Sequence, residues 1–450
     1  MPSGNEDAHE PVSVDLLITN AAIYRFDGSL TTGNLACSGG LITRLDSVDG
    51  PTTDYSALQT IDARGGLVHP GLTDAHFHAP LFATRNLLDT RGPRDEYFRK
   101  YVQWFNHVDD EIEYLSTVAA CIEALANGVT GFIEPGTAME PDAVASAATE
   151  VGVRCSVGDS FVWDRGDFWM ATEISRRPLA GSSPNLGTQL WRNDEAHRGS
   201  LISGHVAVYG SASASASLLR DAFDCAKERG SFLTLHQSPT PENAGLDERY
   251  FGRPAVMYME DQGLLADEIL LAHMNALSQE EEVALGRSNA TVAWCPANTI
   301  NWGMAPTSCL PRLIATGSRV ALGSDLPKTW ALSDQISLAI LQARSVGVDL
   351  EPSRLYDAVF AQVRRLTGRS AFVPGVEIGA PADLVIRKSA TPEDHPGLNL
   401  LGHLAVAKSR SVDKVIVNGR LAYDNGSPNV DEEAAIQKLA LKAREIVDRI

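Results

Sequence analysis

The 450-residue sequence predicts an α/β protein, a (β/α)8 barrel with a small β-sandwich domain built from both chain ends. Three observations point there. Strand-like and helix-like stretches alternate between residues 67 and 374. Short strands cluster at the two ends of the chain. Histidines and an aspartate stand directly after apolar strands, at the end of a barrel where active sites lie. The length exceeds what one compact core usually serves, which agrees with one large and one small domain.

Residues 1–12 read as a disordered lead-in. The small domain is expected over 13–66 plus 375–430. Val14–Tyr24 alternates as a strand, a turn at Asn20 and a second strand, and Gly40–Leu45 is a further short strand. The barrel is expected over 67–374, its first strand opening at Leu67. Asp109–Ala126 has carboxylates in its first turn and an apolar stripe through Ile112, Leu115, Val118, Ile122 and Leu125, so it is a helix that Gly128 ends. The second strand is Val129–Ile133, the third Val153–Val157 and the fourth Leu201–Tyr209. The run SASASAS at 211–217 reads as a turn, with Ser217 capping a helix to Arg229. Ser231–Leu235, Ile269–Ala272, Thr291–Trp294 and Arg319–Leu322 complete eight strands. Ser278 and Glu281 form a capping box before the helix between the sixth and seventh. Ala382–Arg387 and Val412–Tyr423 return to strand, with a hairpin at Asn418-Gly419. Residues 431–450 carry Ile436, Leu439, Ala443, Ile446 and Ile450 at helical spacing, a C-terminal amphipathic helix.

Composition removes several classes of function. The chain is 44% hydrophobic and 21% charged, in the range of ordinary globular proteins. A formal net charge of −19 argues against nucleic acid or an anionic membrane as partner. No apolar run is long enough to span a bilayer, and the polar, acidic beginning lacks the pattern of a signal peptide. Cys37, Cys121, Cys155, Cys225, Cys295 and Cys309 are scattered without a C-x-x-C pair. A reduced, cytoplasmic setting is therefore the expectation.

The chemistry centres on Leu67–Ala79, LVHPGLTDAHFHA. In extended backbone, residues two apart share a face, so His76 and His78 project together, about 7 Å apart along the strand. Two such imidazoles can share one metal ion, although a lone H-x-H is more often a surface pair or part of a core. The longer pattern P-G-x-x-D-x-H-x-H after an apolar strand resembles the opening motif of the amidohydrolase superfamily. That resemblance implies a TIM-type barrel with one or two divalent ions. It also implies a His after the fifth strand, a His after the sixth and an Asp after the eighth. His236, His273 and Asp325 stand at those places. Taken singly, each is better explained as a core or capping residue.

By this resemblance His76, His78, His236 and Asp325 hold one divalent ion. Zinc is expected from the nitrogen and oxygen ligands, with iron(II) or manganese as alternatives. The implied catalytic residues are Asp325, as general base and proton carrier, and His273, hydrogen-bonded to the water or to the developing oxyanion. The attacking group would be a metal-bound hydroxide. Two-metal relatives bridge their ions with a carboxylated lysine on the fourth strand. No lysine occurs between Lys100 and Lys227, so a mononuclear site is expected, with Glu134 a second-shell or loop acid.

One departure bears on the reaction. Relatives that deaminate nucleobases read H-x-x-E after the fifth strand, and here Pro239 replaces the glutamate. Glu242 is the nearby stand-in. The sequence therefore favours hydrolysis of an amide, amidine or related non-peptide C–N bond. Rival readings are an aminoheterocycle deaminase, a triazine-type dechlorinase, or a tailoring amidohydrolase that cleaves a modified peptide beside an amidine. A non-catalytic metal-binding barrel is a fourth; scaffold relatives have lost ligands that this chain retains. WCPANTINWG at 294–303 resembles the C-P-x-S-N run of the chlorohydrolase and cytosine-deaminase-like branch, with Ala297 for serine. Trp163, Phe168, Trp169, Asn298, Asn301 and Trp302 are candidate pocket residues beside Glu242. The expected partner is a small-molecule or modified-peptide substrate. A homodimer is also an expectation, since acidic barrels with a terminal helix often dimerise.

Overall fold

The computed structural model describes residues 11–25, 28–47, 55–85, 94–160, 162–165, 186–197, 199–210, 212–301, 303–326, 331–366, 375–389, 391–392, 404 and 409–450. Most of the expected lead-in lies outside them. Strand β1 (Val12–Tyr24) is continuous. Asn20, with φ 54°, makes a bulge between Ile18 and Ala21 where a turn between two strands was expected. β2 (Leu30–Ser38) and β3 (Leu41–Ser47) extend the sheet as an antiparallel meander, and β4 (Tyr55–Asp62) runs parallel to β1. β2 was not foreseen, because LTTGNLACS lacks clean alternation.

The stretch that begins at Leu67 divides between the two parts of the molecule. β5 (Leu67–Pro70) pairs with β1 in the small sheet, and β6 (Leu72–Asp74) opens the barrel. The break falls at Gly71, where a Cβ would lie 2.1 Å from Thr130 Oγ1. The close crossing of two strands therefore requires glycine there.

Helices α1 (Arg94–His107) and α2 (Asp110–Ala126) follow. Asp109 caps α2 by accepting from the Ile112 amide at 3.0 Å. The barrel continues through β7 (Val129–Glu134), α3 (Pro141–Val151) and β8 (Arg154–Val157). The fourth strand is broken at His205 into β9 (Ile202–Gly204), paired with β8, and β10 (Val206–Gly210), paired with β11 (Leu233–Gln237). Between them, α4 (Ala216–Glu228) is capped by Ser215, not by Ser217; the Ser215 hydroxyl accepts from the Leu218 amide. α5 (Pro241–Phe251) and α6 (Ala255–Asp261) precede β12 (Ile269–His273). α7 (Gln279–Arg287) carries the expected capping box. β13 (Thr291–Trp294), α8 (Pro296–Asn301), α9 (Cys309–Thr316) and β14 (Val320–Leu322) complete the eight-strand circuit.

All barrel pairings are parallel. The seam between first and eighth strands is closed by Ala75 N to Leu322 O at 3.0 Å and Asp325 N to His76 O at 2.7 Å. Ala75, Ala272, Ala293 and Ala321 pack inside with Ile133, Phe232 and Leu270. These small side chains leave space above them for larger polar ones.

α10 (Leu332–Ser345), α11 (Pro352–Tyr356), a π-helical turn at Asp357–Ala361 and α12 (Gln362–Leu366) lead back toward the small sheet. β15 (Leu384–Arg387) pairs antiparallel with β5, followed by β16 (Val412–Val417), β17 (Arg420–Asp424) and β18 (Ser427–Pro428). The β16–β17 hairpin turns at Asn418-Gly419, as expected. Leu16, Ile18, Leu35, Val68, Leu384 and Ile416 form the core of this nine-stranded sheet. The last helix, α13 (Glu432–Val447), buries Leu439, Ala443 and Ile446 against Ile112 and Leu115 of α2. Ile436 and Ile450 remain exposed. All six cysteines are free thiols. Among the described residues no helix is long and apolar enough to cross a membrane.

Candidate metal centre

His76 and His78 follow β6, His236 lies in β11, His273 ends β12, and Asp325 follows β14 at the closing seam. All five are buried. Two overlapping groups, His76–His78–His236 and His76–His273–Asp325, each place one ligand atom per residue within 4.8 Å of the others. Residues nearly 250 positions apart thus meet because strands one and eight are neighbours in a closed barrel.

The hydrogen bonds around the imidazoles assign their tautomers. His236 Nδ1 lies 2.6 Å from the Tyr209 carbonyl oxygen, which can only accept, so Nδ1 carries the hydrogen. Thr137 donates its hydroxyl to Glu134 Oε1 at 2.6 Å and therefore accepts from His78 Nδ1 at 2.8 Å. Both rings turn an Nε2 lone pair inward. These two Nε2 atoms face each other at 3.4 Å, and Asp325 Oδ1 lies 3.0 Å from His78 Nε2. Three acceptor atoms crowd one point. The buried His76 Nε2 likewise has no hydrogen-bond partner. A cation satisfies all of these atoms together, so the residues present fit a divalent ion.

Electrostatics agree with neutral imidazoles and an ionised carboxylate. Burial pushes His76 down and His236 well down, and holds His273 at about 3. Burial alone would raise Asp325, but the His76, His78 and His273 imidazoles around it more than offset burial and hold the carboxyl well below its ordinary value. Asp74 braces the seam. Its carboxylate accepts from the His76 amide at 3.1 Å, the Ser324 amide at 3.0 Å and the Ser324 hydroxyl. His273 and Asp325 adopt left-handed backbone, φ 79° and 67°, a conformation that non-glycine residues rarely hold without such bracing.

The remaining candidates fare differently. Trp163 is fully buried in a cluster with Leu81, Tyr101 and Trp104, a packing role. Asn298 is buried within α8 and Asn301 is half-buried at its C-terminal end. Glu242 is exposed in the first turn of α5. Phe168, Trp169 and Trp302 lie outside the described residues. Pro239 has a structural role at the acid position, its carbonyl accepting from Asn275 Nδ2 at 3.3 Å. Asn275 in turn accepts from Thr299, so the loops after strands five, six and seven are clasped together.

Tyr209 and Thr137 were missed by sequence reasoning. Tyr209 is the last residue but one of the fourth strand, and its ring stacks on His236 with centroids 5.1 Å apart. Its place at a strand end was the available signal. Thr137 carried none, since only the bend after β7 brings it to His78.

A model of the amidohydrolase family matches residues 67–422. A 5-methylthioadenosine/S-adenosylhomocysteine deaminase of Desulforudis audaxviator is 26% identical over 445 residues, 97% of this chain and 100% of its own. A 5'-deoxyadenosine deaminase of Methanosarcina acetivorans is 25% identical over 451 residues, 97% of this chain and 99% of its own. Among solved structures, an adenosine deaminase from Xanthomonas campestris with bound zinc superposes with TM-score 0.82 at 20% identity, covering 98% of this chain and 100% of that one. The zinc complex of atrazine chlorohydrolase from Arthrobacter aurescens gives TM-score 0.80 at 18% identity, covering 95% and 100%.

Proposed function

Since the chain belongs to the amidohydrolase family, and so is a metal-dependent hydrolase of C–N bonds, we propose that it cleaves such a bond at an sp2 carbon of a small molecule with Asp325 as its proton carrier. The observation that carries this reading is the convergence of three acceptor atoms, His78 Nε2, His236 Nε2 and Asp325 Oδ1, at one buried point. His76, His78, His236 and Asp325 would hold one divalent ion, zinc by likeness to the relatives crystallised with it. A bound ion supplies Lewis acidity, which lets water lose a proton near neutral pH.

The chain's own residues do the rest. Asp325, kept ionised, accepts the water proton and returns it to the departing nitrogen. His273, kept neutral, hydrogen-bonds the oxygen on which negative charge develops.

Two readings of the substrate follow. The near-full-length relatives named as adenosine-type deaminases support removal of ammonia from an aminoheterocycle, with 5'-substituted adenosines the first substrates to test. Pro239 at the acid position, with Glu242 exposed, supports an amide or amidine bond instead, including one in a modified peptide, since that bond needs no ring protonation. The test is product analysis with zinc-loaded protein on adenosine, 5'-methylthioadenosine, S-adenosylhomocysteine, and a set of amides and amidines. Ammonia from the purines assigns deamination. Cleavage confined to the second set assigns amide or amidine hydrolysis. No turnover of either, with metal bound, would contradict C–N hydrolysis at an sp2 carbon.

A further inference from the structure

Glu134 is a fully buried carboxylate that the proposed reaction does not use. It ends β7 and accepts three hydrogen bonds, from Gly136 N at 2.9 Å, Thr137 N at 2.9 Å and Thr137 Oγ1 at 2.6 Å. The same hydroxyl sits 2.8 Å from His78 Nδ1. Each of the three residues is at most 3% exposed, so water does not compete for these bonds. The hydroxyl has one hydrogen and gives it to the carboxylate, which leaves its lone pairs for the imidazole. Glu134 thereby sets the direction of the whole line of hydrogen bonds.

The three inward-facing histidines are supported unequally. His236 leans on a neutral backbone carbonyl. His76 Nδ1 has no hydrogen-bond partner. His78 alone of the three is backed by a line ending in a carboxylate.

We infer that Glu134 and Thr137 are positioning residues that act through His78, fixing its ring and tautomer so that Nε2 is a preformed and strengthened metal ligand. The inference rests on the metal-site reading above. It places Glu134 behind a ligand, not among the ligands. Outer partners of ligating histidines commonly contribute tenfold to hundredfold in metal affinity.

The test is the zinc dissociation constant by chelator competition in the full-length protein, read beside the metal-free melting temperature. Thr137→Val keeps the shape of the side chain and removes the hydroxyl. It is expected to weaken zinc by about tenfold or more. Thr137→Ser restores the hydroxyl and is expected to stay within about threefold of the parent. If the valine variant fails to fold, Thr137→Ala answers the same question without the branched methyl. Equal zinc affinity in the parent and the hydroxyl-free variants, even with a lowered melting temperature, would overturn the inference by reducing Thr137 to a folding role. A parent that binds no ion would overturn the metal-site reading, and this inference with it.

Discussion

At the residue scale, the site depends on a few side chains whose alternatives are closed off by their neighbours. His76→Ala and Asp325→Asn are expected to lower turnover at least about a thousandfold while leaving the fold intact, because each removes a ligand and Asp325 also removes the proton carrier. Activity on the identified substrate with circular dichroism as control checks this, and near-parental activity in either would refute the assignment. A pH prediction concerns His205, buried at the break in the fourth strand, its Nδ1 2.8 Å from Ser156 Oγ. Burial holds it at about 3 against an ordinary 6.5. A histidine whose folded value is depressed contributes stability that is complete above pH 6.5 and is lost as pH falls toward 3, by at most about 5 kcal/mol. His205→Gln cannot titrate, so its stability deficit relative to the parent should shrink between pH 7 and 4 in denaturant titrations. A deficit that stays constant over that range would contradict this. The residues proposed as metal ligands could be picked out in the sequence because H-x-H, and a His or Asp closing an apolar strand, need only strand periodicity to be placed. Thr137 could not, since its contact with His78 bridges 59 positions through a bend that no local pattern encodes.

Elements position those residues through breaks as much as through regular pairing. The fourth strand ends at Gly210, φ 122°, where a Cβ would stand 1.9 Å from the His236 carbonyl oxygen. Gly210→Ala must push β10 away from β11 beside the site. A loss of about 2 kcal/mol or more of stability is expected, with weakened zinc binding, measured by urea unfolding and elemental analysis. A neutral substitution would mean that the strand has slack the geometry denies. The Ser278 cap is an ordinary case: Ser278→Ala is expected to cost about 1 kcal/mol without touching metal binding. The capping box and the Asn418-Gly419 hairpin were readable in advance because their signals are local. The split of the opening strand at Gly71 was not. Both halves are extended, and the close approach of Thr130, far away in sequence, to Gly71 has no local signal.

At the scale of the whole molecule, the barrel brings together the proposed ligands from strands one, five and eight, and the first and last strands are held by the Asp74–Ser324 brace as well as by backbone pairing. Folding must therefore precede the site, and a bound ion must in turn stabilise the closed barrel. Zinc at about a thousand times its dissociation constant is expected to add about 4 kcal/mol. Stripping the metal should lower the melting temperature and zinc should restore it. The eight-strand count was legible from alternation alone. Assembly of the small domain from both chain ends was legible too, but the nine-stranded extent of its sheet was not, because β5 reads as the start of the barrel strand and its pairing with β15 spans more than 300 residues. The central claim is one divalent ion per chain, held by four residues with Glu134 behind His78. Elemental analysis of the purified full-length protein tests it most directly. About one zinc, iron or manganese per chain is the predicted result; two ions per chain, or none after loading, would contradict it.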